Sequence, residues 1–156
     1  MKDRTPLVTL ERVNKVFSNG TVAVQNFSLA VGEHEFVSLL GPSGCGKSTV
    51  LRLISGLGEV SSGSISWPGT LRGAAGKGPP VGDIGFVFQE PTLMPWASVF
   101  KNVMLPLTLA GAERAPAAER VAEAIGMVGL AGFEKAYPRE LSGGMKMRVS
   151  IARALV

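Results

Sequence analysis

Apolar and polar positions follow two periods along this chain, and the change of period divides it. Near the start, Leu7, Thr9 and Glu11 interleave with Val8, Leu10 and Val13, which predicts a β-strand. A second β-prone stretch runs from Thr21 to Val31 after the turn signal Ser18-Asn19-Gly20, so the two are expected to pair antiparallel. Glu35 to Leu40 is a short, nearly continuous apolar run that stops at a Gly-rich segment, the pattern of a buried parallel strand. From Thr49 to Leu57, Val50, Leu51, Leu53, Ile54 and Leu57 fall on one helical face, with Gly56 and Gly58 placed to stop it. Gly63 to Gly82 is rich in Gly, Ser and Pro and reads as loops with short strand pieces such as Ser64-Ile65-Ser66-Trp67. Ile84 to Phe88 is a second buried-strand candidate, closed by Gln89-Glu90-Pro91 because proline cannot donate to a ladder.

Beyond Pro91 the period becomes helical. Ser98 to Leu109 and Pro116 to Val128 carry apolar positions at helical spacing, with Val121, Ile125 and Val128 on one face and Pro116 suited to a first turn. Ser142 to Val156 reads as a Ser-capped helix with an apolar stripe of Val149, Ala152, Leu155 and Val156. There is no internal repeat.

Composition agrees with a packed domain. The chain has 156 residues, 46% hydrophobic and 18% charged, too apolar and too weakly charged for disorder. A chain of this length buries roughly two thirds of its unfolded surface. The net charge is +4, but Lys and Arg are scattered without a run, so no nucleic-acid partner is expected. The single cysteine, Cys45, cannot form an internal disulfide, in keeping with a reducing compartment. Met1 to Leu10 holds Lys2, Asp3, Arg4 and Pro6 and lacks a signal-peptide core, and no stretch supplies the ~20 apolar residues of a membrane span. A cytoplasmic location is expected.

Chemistry enters with Gly41-Pro42-Ser43-Gly44-Cys45-Gly46-Lys47-Ser48-Thr49, which satisfies G-x-x-x-x-G-K-[ST] between an expected strand and an expected helix. The glycines let the backbone wrap so that successive N–H groups point at phosphates, and the helix start adds positive charge. In that reading Lys47 reaches the β- and γ-phosphates of ATP, Ser48 supplies a hydroxyl to Mg2+, and Thr49 adds a phosphate contact. Cys45 has two readings, a small residue that fits the loop or a reactive thiol favoured by Lys47 and the helix start. The loop by itself leaves kinases, GTPases, helicases and transporters open.

A second motif narrows these. Leu141-Ser142-Gly143-Gly144-Met145, followed by Arg148-Val149-Ser150-Ile151-Ala152-Arg153-Ala154-Leu155, closely resembles the signature of ABC transporter ATP-binding subunits, and Phe86-Val87-Phe88-Gln89-Glu90-Pro91 resembles that family's Q-loop. The order of the motifs matches as well, so the resemblance covers essentially the whole chain. It implies an α/β fold: a P-loop NTPase core with an antiparallel β subdomain (residues 1–90), an inserted helical subdomain (91–140), and the signature with its helix (141–156). It further implies an ATPase that works as a head-to-tail dimer, each signature closing on the ATP held by its partner's loop. A transmembrane permease subunit and a periplasmic solute-binding protein are the other implied partners, with this subunit peripheral on the inner face of the membrane.

By the same resemblance Gln89 would approach Mg2+ and the attacking water, and Phe17 would stack on adenine; Phe17 also has a reading as a core residue. Trp96 would either help form a groove for a helix of the permease or lie in the core. Met145, where Gln is commonest, together with Gln89 to Trp96 and Asn102-Val103, looks like the importers of nitrate, sulfonates and taurine. The alternatives are a nucleotide-binding chain without turnover and a soluble ABC ATPase outside transport.

The family's apolar run ending in Asp-Glu and its later switch His are not found. The aspartates are Asp3 and Asp83, and His34, the one histidine, precedes the loop and reads as a turn or surface residue. Val156 falls inside an apolar helix, so the chain is expected to stop before that acidic motif, to be marginally stable and to hydrolyse ATP negligibly.

Overall fold

The computed structural model describes residues 6–67 and 84–156, and the chain divides into two compact units, Met1–Ile84 and Gly85–Val156. The expectations for Asp3, Asp83 and the rest of the Gly63 to Gly82 loop region beyond Trp67 lie outside the described residues.

The first unit holds β1 (Val8–Val16), β2 (Val22–Val31), α1 (Lys47–Ile54) and β3 (Ser62–Ser66). The strands form an antiparallel sheet in the order β2-β1-β3. The expected pairing of the first two strands is present, and the first of its three irregularities has a physical cause. Strict alternation after Val8 and Leu10 would turn residue 12 inward, yet Val13 is the fully buried one. The register steps from Leu10↔Leu29 to Val13↔Phe27, with Arg12 and Asn26 both at φ 45°. A bulge of this kind adds a residue and resets the inward face. Asn14 holds it: its Nδ2 donates to Arg12 O at 2.9 Å and to Ser62 Oγ at 3.1 Å, while its Oδ1 accepts from Asn26 N at 2.8 Å.

Gly63 completes this arrangement. At φ 86° a Cβ there would stand 2.4 Å from Arg12 O and 2.7 Å from Glu11 O. Left-handed strain plus a clash with rigid backbone leads us to expect Gly63→Ala to destabilise the first unit by about 2–4 kcal/mol. Urea unfolding followed through Trp67 fluorescence is the check, and an unchanged midpoint would refute it.

Helix α1 packs Val50 and Leu53 against Val8, Leu10, Val13 and Val24. It begins and ends earlier than the Thr49 to Leu57 expected. Gly56, at φ 72°, ends it as anticipated, with Leu57 N donating to Arg52 O at 2.9 Å.

Two expected strands are corrected. Glu35 to Leu40 and Ile84 to Phe88 have no ladder hydrogen bonds. Phe36 is 94% and Leu40 89% exposed, and Ile84, Val87 and Phe88 are also exposed. A buried parallel strand exists through partners on both sides, and among the described residues the sheet has no strand beyond β2, β1 and β3. His34 is exposed in a turn at φ 58°, as expected.

The second unit is helical: α2 (Val99–Leu109), α3 (Arg114–Met127), a 3-10 turn (Pro138–Glu140) and α4 (Gly143–Leu155). All three expected helices are present. Ser98 caps α2 by accepting from Lys101 N, and Pro116 lies in the first turn of α3, where its missing N–H costs nothing. The core joins Val99, Val103, Val121, Ile125, Leu130 and Val149. Full burial of an aliphatic side chain of this kind contributes about 1.5–3 kcal/mol. On α4 the expected stripe holds at Val149 and Ala152 but not at Leu155, which is exposed; Ser150 is buried instead. Arg148 Nη1 donates to Val128 O at 3.2 Å and Gly129 O at 3.4 Å, satisfying carbonyls just beyond α3.

Candidate nucleotide-binding site

Gly41 to Gly46 leads directly into α1 through three glycines at positive φ: Gly41 at 155°, Gly44 at 82° and Gly46 at 93°. Gly46 is the residue before the first helical turn, and no side chain caps that end and no acidic residue occupies its first turn. The first N–H groups of an α-helix have no intrahelical acceptor, so those of α1 are left to a ligand or water. Gly46 has no freedom to be anything else, since a Cβ there would stand 2.1 Å from Ala23 O. This close approach seats the loop against β2.

Lys47 folds back over the loop. Its Nζ donates to Gly41 O at 2.8 Å and to Pro42 O at 2.7 Å, and lies 3.5 Å from Cys45 Sγ. The ammonium thus sits inside the wrap of residues 41–47. An ammonium has three protons, and a cation held there beside an uncapped helix start makes a concentrated anion site. Ser43 and Ser48 are exposed, Thr49 is half-buried, and Cys45 is a free, exposed thiol. Next to the loop lies a cleft of about 280 Å3 lined by residues of β2, the Ser38 to Leu40 segment, Cys45, Gly46, Lys47 and Val50.

Phe17 lies at the end of the β1–β2 pair, outside that cleft's lining. The residue is 44% exposed, with Lys15 Nζ 5.6 Å from the ring centre, so its core reading is set aside. Trp96 is 77% exposed, and its core reading falls likewise. Gln89 is exposed in the segment after Phe88.

In the second unit the Leu141 to Met145 motif has the geometry of a capped, open helix start. Leu141 is buried and anchors it, Ser142 Oγ accepts from Met145 N at 3.2 Å, and Met145 packs against the helical core. Gly143 and Gly144 are exposed with nothing near a hypothetical Cβ, and α4 has no acidic residue in its first turn. The open backbone here is a second place where an anion would meet free N–H groups.

Some structural determinants were not foreseen. Ala23 acts through its carbonyl, which no side-chain pattern reveals. Asn102 is fully buried on α2. Its Nδ2 donates to Met94 O at 3.2 Å, Ala97 O at 2.9 Å and Ser98 O at 3.0 Å, and its Oδ1 accepts from Met94 N at 2.8 Å. An asparagine on an otherwise apolar helical face was the available signal.

The ABC transporter family model matches residues 24–156. An ABC transporter ATP-binding protein of Methanocaldococcus jannaschii is 45% identical over 99% of this chain and 56% of its own length. A spermidine/putrescine import ATP-binding protein of Rubrobacter xylanophilus is 44% identical over 98% of this chain and 40% of its own. An aliphatic sulfonates import ATP-binding protein of Bacillus licheniformis is 46% identical over 93% of this chain and 55% of its own. The chain thus spans about half the length of these curated relatives. The solved dimeric structure of a bacterial ABC transporter cassette superposes with TM-score 0.80 at 34% identity, covering 95% of this chain and 68% of that one. A post-hydrolysis structure of that cassette, bound to ADP and Pi, matches with TM-score 0.80 at 35% identity. The relatives' named solutes range from polyamines to sulfonates, so likeness does not single out the nitrate, sulfonate and taurine importers. The family model matched over residues 24–156, together with the superposition on a solved cassette, places this chain in the ABC transporter family, with the fold of an ABC cassette.

Proposed function

We propose that this chain is the ATP-binding part of an ABC importer subunit, which couples ATP binding and hydrolysis to solute uptake. The observation that carries the proposal is the Lys47 ammonium held within the Gly41 to Gly46 wrap at the uncapped start of α1. In this reading the backbone N–H groups of Ser43 to Thr49 bind the α- and β-phosphates, and Lys47 turns from its loop carbonyls to the β- and γ-phosphates. Phe17 offers an exposed ring to adenine. Among the described residues no group of three or more His, Cys, Asp or Glu could cage a metal. Mg2+ would arrive with the triphosphate, with the Ser48 hydroxyl and Gln89 as the protein's contributions. Gln89 also orients the attacking water.

Ser142 to Met145 closes on the nucleotide of a second ATP-binding subunit, as the dimeric relative and the open helix start support. No helix among the described residues is long and apolar enough to cross a membrane; in this reading the subunit is peripheral on the cytoplasmic face of a permease. A periplasmic solute-binding protein completes the system. For the solute, Met145 and the Gln89 to Trp96 segment favour nitrate, sulfonates or taurine, and the sulfonate importer of Bacillus licheniformis is among the relatives.

Lys47→Ala tests the carrying observation. Loss of charge-assisted bonds to phosphate should weaken binding of a fluorescent ATP analogue by about 10- to 100-fold in anisotropy titrations. Equal affinity for the wild type and the variant would overturn the assignment.

A further inference from the structure

Helix α4, whose first turn carries Ser142 to Met145, also grips the segment that carries Gln89. At one end, Gly85 lies so close to α4 that a Cβ would stand 2.5 Å from Ala154 O. At the other end, Arg153 spreads its fork over the turn that follows Gln89. Its Nη1 donates to Thr92 O at 3.0 Å, and its Nη2 to Thr92 Oγ1 at 3.0 Å and to Pro91 O at 3.4 Å. Ser150 Oγ donates to Pro91 O as well, from a side chain that is 2% exposed. Thr92 itself stands at φ 38°, a left-handed conformation that a β-branched residue adopts only when its surroundings hold it there. Residues 85–92 are therefore a short span that lies close against α4 at Gly85 and is hydrogen-bonded to it at Pro91 and Thr92, with the exposed Gln89 between.

We infer that Arg153 and Ser150 are positioning residues that bind the Gln89 segment to the signature helix, so that the Gln89 segment and Ser142 to Met145 move as one body. A planar fork suits this task because it meets several acceptors in one rigid geometry, whereas a lysine would satisfy one or two. Partial burial of the Arg153 guanidinium lowers its pKa from the usual arginine value, yet it remains charged at any physiological pH. Deprotonation of Arg153 therefore does not release the tie. The functional value of the tie rests on the reading of Gln89 given above; the tie itself does not.

Arg153→Met keeps the side-chain stem and removes the fork, and Arg148→Met removes a guanidinium from the same helix that reaches Val128 and Gly129 instead. Amide hydrogen exchange is measured on both, on Thr92→Ala and on the wild type, with and without ATP. The expected result is exchange in residues 89–94 faster by about tenfold or more in Arg153→Met, smaller in Thr92→Ala, and unchanged in Arg148→Met, with α2 and α3 still protected. Unchanged exchange in residues 89–94 of Arg153→Met would overturn the inference, as would equal acceleration in Arg148→Met. If Arg153→Met does not fold, Thr92→Ala decides by the same peptide. If ATP protects no residue of the wild type, the proposed function fails while the comparison without ATP still decides the tie.

Discussion

Gly46→Ala is expected to abolish nucleotide binding and to destabilise the first unit by about 4 kcal/mol or more. Two effects add. The left-handed backbone at φ 93° penalises any Cβ by roughly 1–2 kcal/mol. The new Cβ would also stand 2.1 Å from Ala23 O, and neither group can yield without moving β2 or the first turn of α1. Gly44 supplies the control. Its φ is 82°, but nothing lies within 4 Å of a Cβ there, so Gly44→Ala should cost only the strain, about 1–2 kcal/mol. Urea unfolding monitored through Trp67, with ATP-analogue anisotropy alongside, separates the two variants. Equal losses in both would mean that strain alone matters and that the approach to Ala23 does not.

Asn102→Leu should produce the second large effect, a loss of about 3 kcal/mol or more in the stability of the helical unit. The replacement is similar in size and apolar, as its buried neighbours on α2 are, so a reading of the helix pattern alone would expect a gain. The structure reverses that expectation. Asn102 satisfies Met94 N and the carbonyls of Met94, Ala97 and Ser98 from a fully buried position. Leucine would leave these backbone groups unpaired beside the core, each with a desolvation cost of about 1–3 kcal/mol when truly buried. Release of the 94–98 segment should also speed amide hydrogen exchange within it. A variant as stable as the wild type, with exchange in residues 94–98 unchanged, would show that water replaces the lost bonds.

The helical unit was the most legible part of the sequence, for a physical reason. Its period is local, and the positions that the pattern turned inward, Val121 and Ile125, meet neighbours within the same unit. Ser98 and Ser142 cap helices by contacts three residues away, which sequence spacing records directly. Strands are different, because a strand depends on partners far along the chain. The apolar runs Glu35 to Leu40 and Ile84 to Phe88 looked like buried strands and carry no ladder. The near-alternation of β1 likewise concealed a bulge that the pairing with β2 creates.

From the order of residues alone came the glycine-rich loop proposed to hold phosphates, the Ser142-capped helix, the three helices of the second unit and the family to which they point. These rest on short-range chemistry: glycines where the backbone turns left-handed, a lysine next to a helix start, a serine three residues before the amide it caps. Tertiary structure alone decided what each of these features touches. It set Gly46 against the carbonyl of Ala23, turned Lys47 onto Gly41 and Pro42, exposed Phe17 and Trp96, and joined Arg153 to Thr92 across 61 positions of chain. Backbone carbonyls are the partners in most of these contacts, and every residue type carries one, so no pattern of side chains could have announced them.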